Sequence, residues 1–469
     1  MNFRHSHSIS YPSVLLALSA ACYSPGGTLG TPCVSDSACS DGQMCVLGKC
    51  ALPMSTTQGG STGEGNSEQT TPTSGSDDGA TNGTGSSSDS EGAEEGETGG
   101  LLPFSSRQYS LAAGVDTTCA ITTGGALKCW GSDDFGQIGN GSPNVDEPFP
   151  TAVLGLSSGV ISVQTTWSFT CALTENDSIA CWGSDGFGQL GDGGPIDDAD
   201  RSPSPIEVMG LSGTPSAIGL GWGNSCAIMD SGALRCWGSD AWGSLGDGPG
   251  EPIGTSLPKT ILSSDIYAFV GGTGHGCALS TSGGVACWGW DYDGEIGNGE
   301  PSLQEDEPTT VTGLSAGVIQ VSAGAKHSCV VTQLGKVRCW GLNENGELGI
   351  GNYDSPQMAP VPVELDEVVV SVACGGEHSC VLTGGGGVKC WGSDEYGQLG
   401  DGSTNSSGGE AVNVIGLDAG VVAIASGALH SCARLESDSI RCWGSNMNGR
   451  LGNGEVGGTA TSPVTAIFP

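Results

Sequence analysis

Basic residues are scarce in this chain: 14 Lys plus Arg stand against 51 Asp plus Glu, a formal charge of −37. A surface of that sign repels phosphate, so neither nucleic acid nor anionic lipid is an expected partner. Aromatic residues make up only 6% of the chain, which leaves few large side chains to fill one deep core. No apolar run approaches the ~20 residues that a spanning helix needs. Glycine and cysteine are abundant instead, with 83 and 20 residues. Many glycines with few bulky residues fit short strands joined by tight turns, and that many thiols fit an oxidising compartment rather than the cytosol.

Arg4 precedes a short apolar run, Val14-Leu15-Leu16-Ala17-Leu18, which is followed by Ser19-Ala20-Ala21-Cys22. Residues 1–21 therefore read as a signal peptide. Small residues before a cysteine resemble the lipobox of bacterial lipoproteins. That resemblance implies lipidation of Cys22, and Tyr23 after it implies outer-membrane sorting; cleavage near Ala21 with free secretion is the alternative. Residues 22–54 contain Cys33, Cys39, Cys45 and Cys50, a cluster expected to form a small disulfide-stapled module with three pairings open. Their spacing lacks the close pair typical of zinc modules. Residues 55–105 are dominated by Ser, Thr, Gly, Asp and Glu, with almost no apolar side chain before residue 101. Such a segment cannot bury enough surface to offset its ordering entropy, so a disordered acidic linker is expected there.

From residue 106 to residue 469 the chain repeats. Seven times a cysteine is followed after nine residues by Cys-Trp-Gly: Cys119 and Cys129, Cys171 and Cys181, Cys226 and Cys236, Cys277 and Cys287, Cys329 and Cys339, Cys380 and Cys390, Cys432 and Cys442. Six residues beyond each Trp stands Gly-x-Leu-Gly or a close variant, as in Gly136-Gln137-Ile138-Gly139, and three residues beyond it stands Asp or Asn. Folding Cys329–Cys339 on Gln333-Leu334-Gly335 as a hairpin sets the two cysteines opposite each other, close enough for a disulfide within each repeat. Alternation puts apolar residues such as Val331 and Val337 on the cysteine face, which is expected to pack on the neighbouring repeat. Arg434 opposite Ile440 breaks this rule, predicting a less buried face in the last copy. A Pro-headed strand at Ser462–Ala466 and an isolated strand at Gln108–Gly114 predict that one sheet is completed by both ends of the repeat region.

The Cys-Trp-Gly block with its Asp or Asn and its Gly-x-Leu-Gly, preceded by Ala323-Gly324-Ala325-Lys326-His327-Ser328-Cys329, resembles the repeat of the regulator of chromosome condensation (RCC1) superfamily. The resemblance covers about three quarters of the chain. It implies an all-β, seven-bladed β-propeller. The eukaryotic namesake is a guanine nucleotide exchange factor, but no exchange-loop motif here matches residue by residue. Secreted bacterial relatives include an inhibitor of β-lactamases, a hydrolase-inhibitor precedent that suits an exported chain better.

Four histidines, His275, His327, His378 and His430, recur two residues before the first cysteine, where hydrogen bonding inside the blade is expected. Lys128, Arg235, Arg338, Lys389 and Arg441 recur just before the second cysteine and are expected to pair with the Asp or Asn after Trp-Gly. The turn Asp291-Tyr292-Asp293-Gly294-Glu295 lacks a complete calcium-loop pattern. Cys374, outside the pattern, is expected to be a buried thiol. Aromatic residues that the repeat does not require are the candidate binding anchors: Trp167, Trp222, Trp242, Trp290 and Tyr292, with Phe135, Phe187 and Tyr396 in the same turns. No nucleophile–base pair or metal triad is present in sequence. The expectation is a monomeric, non-enzymatic binding module without cofactor or metal, exported in a bacterium as an outer-membrane lipoprotein or extracellular protein. Its membrane contact would be through the lipid alone. The expected partner is a protein, with a glycan as the alternative.

Overall fold

In the strand Cys329–Val331 and its hairpin mate, side chains alternate sides with period two, so the cysteine and the tryptophan beside it must face opposite ways. That geometry recurs around the molecule and organises it. The computed structural model describes residues 110–197, 200–249 and 254–469, together with the short strands Ala21–Cys22, Met44–Val46 and Lys49–Ala51. The expectations for residues 1–20, for Cys33 and Cys39 and for the linker 55–105 lie outside the described residues. Residues 26–100 form a unit of their own, in which Met44–Val46 pairs with Lys49–Ala51 and sets Cys45 opposite Cys50 in the register.

Each repeat folds into an antiparallel sheet whose four strands follow one another from the inside outwards. In blade 1 these are Leu111–Ala113, Thr117–Ile121, Leu127–Gly131 and Glu147–Ala152. Blades 2 to 7 begin at Val160, Pro215, Ile266, Val318, Val369 and Val421, and the last outer strand is Thr459–Thr465. The two-residue strand Ala21–Cys22 lies along the inner strand of blade 4. The result is a seven-bladed β-propeller, as the resemblance implied.

All seven hairpins set their cysteines directly opposite each other and join them. In blades 1 to 4 the disulfides link Cys119 with Cys129, Cys171 with Cys181, Cys226 with Cys236 and Cys277 with Cys287. In blades 5 to 7 they link Cys329 with Cys339, Cys380 with Cys390 and Cys432 with Cys442. Every pair has a Cα separation of 4.0–4.1 Å, the close spacing of opposed residues in an antiparallel hairpin.

Cysteine faces look toward the next blade and tryptophan faces toward the preceding one. Cys119, Ile121, Leu127 and Cys129 of blade 1 thus share a buried cluster with Val160, Val163 and Trp182 of blade 2. Each tryptophan is 0–1% exposed. Its indole N–H donates to the carbonyl of the variable residue in the preceding blade's Gly-x-Leu-Gly, at 2.8–3.1 Å in all seven joints. The second glycine of that motif has a positive φ, and a Cβ on Gly139 would stand 2.5 Å from Trp182 Nε1. The two halves of the repeat signature are therefore donor and acceptor of one joint between neighbouring blades.

Three expectations are corrected here. No sheet is shared by the two ends: blade 1 and blade 7 are each built from one contiguous stretch, because the isolated strand at Leu111–Ala113 is the inner strand of the first repeat and Thr459–Thr465 the outer strand of the last. The ring closes by the same packing and Trp-to-carbonyl bond as every other joint, with Trp130 donating to the Arg450 carbonyl at 2.9 Å. Arg434 does not loosen its face. It is 5% exposed, donating to the Ile121 carbonyl of blade 1 at 2.7 Å and pairing with Asp438 at 3.0 Å. The histidines bond across blades instead of within them: His275, His327 and His378 reach Ser328, Ser379 and Ser431 of the next blade at 2.7–2.9 Å, and His430 reaches Thr118 at 2.9 Å.

Candidate functional site

The loop between the first two strands of a blade and the loop between its third and outer strands emerge at the same rim, because successive strands are antiparallel. At that rim the Asp or Asn after Trp-Gly caps its own turn. Its Oδ1 accepts the amide of the Leu or Ile five residues on at 2.8–3.1 Å in all seven blades, from Asp133 with Ile138 to Asn446 with Leu451. Among the described residues none of these capping side chains forms an ion pair with the basic residues before the second cysteine, which corrects the expected pairing. Lys389 pairs with Glu367 at 3.1 Å, and Lys128 lies over the Phe468 ring and donates to the Pro150 carbonyl.

On this scaffold the candidate anchors form one continuous row across blades 1 to 4. Phe135 meets Trp167 edge-on at 5.2 Å, and Trp167 lies nearly parallel to Trp222 at 6.3 Å. Trp222 in turn touches Phe187 at 5.6 Å and Trp242 at 6.4 Å. Trp242 meets Trp290 at 5.1 Å, and Trp290 meets Tyr292 at 6.3 Å. All five anchors are brought together, with Phe135 and Phe187 as flanking members. Tyr396, on blade 6, has no partner in this row. Trp167 and Trp222 also pack on Val115 and Ala428, the residues at their own repeat position in blades 1 and 7. Trp242 and Tyr292 are 41% and 60% exposed, so the row offers rings available to a ligand on blades 3 and 4.

Trp242 has φ = 60°, the left-handed region that a bulky residue adopts only at a cost of ~1–3 kcal/mol. Asn448 holds the equivalent place in blade 7 with φ = 61°, a residue type that tolerates it. Backbone economy therefore does not explain an exposed tryptophan at this turn. A small polar cleft adjoins Trp222 and Trp242, lined in part by Asn224, Ser239, Ser244 and His275.

Burial raises the carboxyl groups beneath the rim well above the ordinary carboxylate range. Burial pushes Asp133 up to about 7, against the opposing hydrogen bond from Ile138. Burial likewise raises Glu295 to about 8 and Glu347 to about 7. Sequence reasoning missed these two; the signal was Glu at a position that carries Gln137, Gln189 and Gln398 in other copies. Burial lowers His275 to about 4 and His327 and His378 to about 3, so these rings are neutral structural bridges. His327, Cys329 and Cys374 lie close together, but Cys329 is in its disulfide, His327 bonds Ser379, and the buried Cys374 thiol donates to the Ser322 carbonyl at 3.5 Å. Burial pushes that thiol up to about 12, which makes it an inert core residue, as expected from sequence.

Comparison with known proteins agrees with the repeat pattern. The family described as the regulator of chromosome condensation (RCC1) repeat matches residues 109–137, 160–189, 318–347, 369–398 and 421–450, and a second description of the same repeat matches 125–173, 282–331 and 335–382. The ultraviolet-B receptor UVR8 of Arabidopsis thaliana is 31% identical over 307 residues, which is 63% of this chain and 67% of the receptor. The human E3 ubiquitin-protein ligase HERC2 is 28% identical over 385 residues, 79% of this chain but only 8% of the ligase. Among solved structures, human WBSCR16 superposes with a TM-score of 0.66 at 22% identity, covering 73% of this chain and 94% of that one.

Proposed function

The chain belongs to the RCC1 repeat family, and on that premise we propose that it is an exported binding module that engages a protein partner through the aromatic row of blades 1 to 4. A receptor and a ubiquitin ligase stand among its relatives, so membership supplies the propeller and not an activity. The observation that carries the reading is the row itself. Seven rings that the repeat does not require are contiguous on one rim, whereas the seven that it does require are buried between blades. Aromatic anchors of this kind dominate binding energy at protein interfaces. Export is supported by a disulfide in each blade and by the signal-like segment 1–21 that precedes Cys22, the proposed lipidation site and anchor of an outer-membrane lipoprotein. The test is affinity capture from cell-envelope and secreted-protein extracts with the oxidised protein and its Trp167→Ala plus Trp222→Ala variant. A protein retained by the native chain and lost with the variant is the expected result. Identical captures by both would remove the aromatic row from the reading.

A further inference from the structure

The loops that carry the aromatic row are also one-sided in charge. Residues 114–116, 132–146, 166–168, 185–197, 200, 221–223, 239–249, 254, 272–274 and 291–303 are the described loop residues of this rim in blades 1 to 4, and they include fourteen Asp or Glu and no Lys or Arg. Six of those acids are buried in or beneath the turns: Asp133, Asp185, Asp240, Asp291, Asp293 and Glu295. The cations that approach from neighbouring elements are already held. Arg201 donates to the Asp134 carbonyl at 2.9 Å, Lys259 pairs with Asp247, Lys326 pairs with Asp293 at 2.9 Å, and Arg450 pairs with Asp116. The side chains of Asp134 and Glu300 remain exposed on the same rim as the rings.

We propose that the aromatic row and this acidic rim together recognise a cationic segment of a polypeptide, with lysine or arginine side chains laid over the indole faces and their charge answered by the rim carboxylates. The inference rests on the aromatic row being the docking surface and adds the chemistry of its occupant. Aromatic faces attract cations through the ring quadrupole, and a rim of one sign raises the local concentration of oppositely charged ligand. An acidic or phosphorylated partner would meet uncompensated carboxylates on approach. A neutral glycan would use the rings but gain nothing from the rim. Apolar residues between the basic ones suit the half-buried Trp167, Trp222 and Trp290, while the more exposed Trp242 and Tyr292 offer the open faces that a cation needs.

The experiment titrates the full-length oxidised protein with three aromatic-free peptides of one sequence, in which leucine alternates with arginine, glutamine or glutamate, following indole fluorescence at low and moderate salt. The arginine peptide is expected to bind, to weaken as salt rises, and to lose on the order of tenfold in affinity in the Trp222→Ala plus Trp242→Ala variant. Asp134→Asn plus Glu300→Gln, which leaves every ring in place, is expected to reduce the salt dependence while the melting temperature stays unchanged. Equal binding of the glutamine peptide with the same tryptophan dependence would overturn the cationic class and leave the aromatic docking surface standing. Binding of neutral oligosaccharides with that dependence, while no peptide binds, would replace the occupant by a glycan. No tryptophan-dependent binding of any probe would overturn both readings.

Discussion

Replacing Glu295 by Gln is expected to stabilise the propeller above neutral pH and to change little near pH 5. The Glu295 side chain is 1% exposed; Oε2 accepts the Asp293 amide at 2.8 Å and Oε1 has no partner. Burial is the main cause of its rise to about 8, with Asp293 adding to it and backbone hydrogen bonds and Lys326 opposing it. A folded carboxyl that keeps its proton to higher pH than the unfolded one favours the fold when protonated. That contribution is complete below pH ~4.5 and is withdrawn as the pH climbs toward 8. A rise of this size corresponds to about 4 kcal/mol between those limits, and relaxation around an ionised carboxylate reduces the usable part to ~2–3 kcal/mol. Gln does not titrate, and it already fits this site: Gln137, Gln189 and Gln398 accept the equivalent amide at 2.8–2.9 Å. Urea unfolding of the oxidised protein and variant at pH 5 and pH 8 measures the effect. The variant should gain ~2 kcal/mol at pH 8 and less than ~1 kcal/mol at pH 5. Midpoints that differ by the same amount at both pH values would refute the argument.

On the acid side the sign reverses. Burial holds His378 at about 3, below the ordinary 6.5, so stability is lost as the pH falls from 6.5 toward 3, and His378→Asn, the residue type of Asn224 in blade 3, should flatten that limb of a pH–stability profile. Arg450→Gln leaves Asp116 without its partner and takes the donors from the Met447 and Val115 carbonyls, which should cost ~2–4 kcal/mol at neutral pH, and adding Asp116→Asn in a double-mutant cycle should recover only the part due to the unpaired charge. Trp340→Phe removes the indole donor to the Glu295 carbonyl and some core volume, and a loss of ~2–4 kcal/mol in chemical denaturation is expected. The paired cysteines of every blade are 0–1% exposed, so thiol trapping under reducing but native conditions should proceed only as fast as blades open, and Cys329→Ala plus Cys339→Ala should cost ~2–3 kcal/mol.

The blade was legible because its determinants are local and repeated. The hairpin Cys329–Cys339 could be paired residue by residue from spacing alone, and the register Val330 with Arg338 and Val331 with Val337 is the one found. Its six counterparts, from Cys119 with Cys129 to Cys432 with Cys442, share the same ten-residue separation and the same register. Joints between blades were not legible, since their partners lie about 50 residues apart and the acceptor is often a backbone carbonyl that leaves no mark on the sequence. His378 therefore looked like a within-blade residue and Arg434 like a defect. The aromatic row was visible through its departure from the repeat. Its continuity depends on ring orientations that only the packing of neighbouring loops sets, as between Trp167 and Trp222.

Because the four strands of each repeat come from a single contiguous stretch and none is lent across the closing joint, the unit of inheritance and the unit of folding coincide. A gene for such a ring can gain or lose one whole module at a time, and the new neighbours meet through a donor and an acceptor that each module already carries. The chain can likewise be reopened at the outer-to-inner connection after Ala152, or at any of its counterparts, and rejoined across the original seam without dividing a sheet. Seven permuted orders of one sequence would then share the same blades, and the aromatic rim would keep its face whichever module came first.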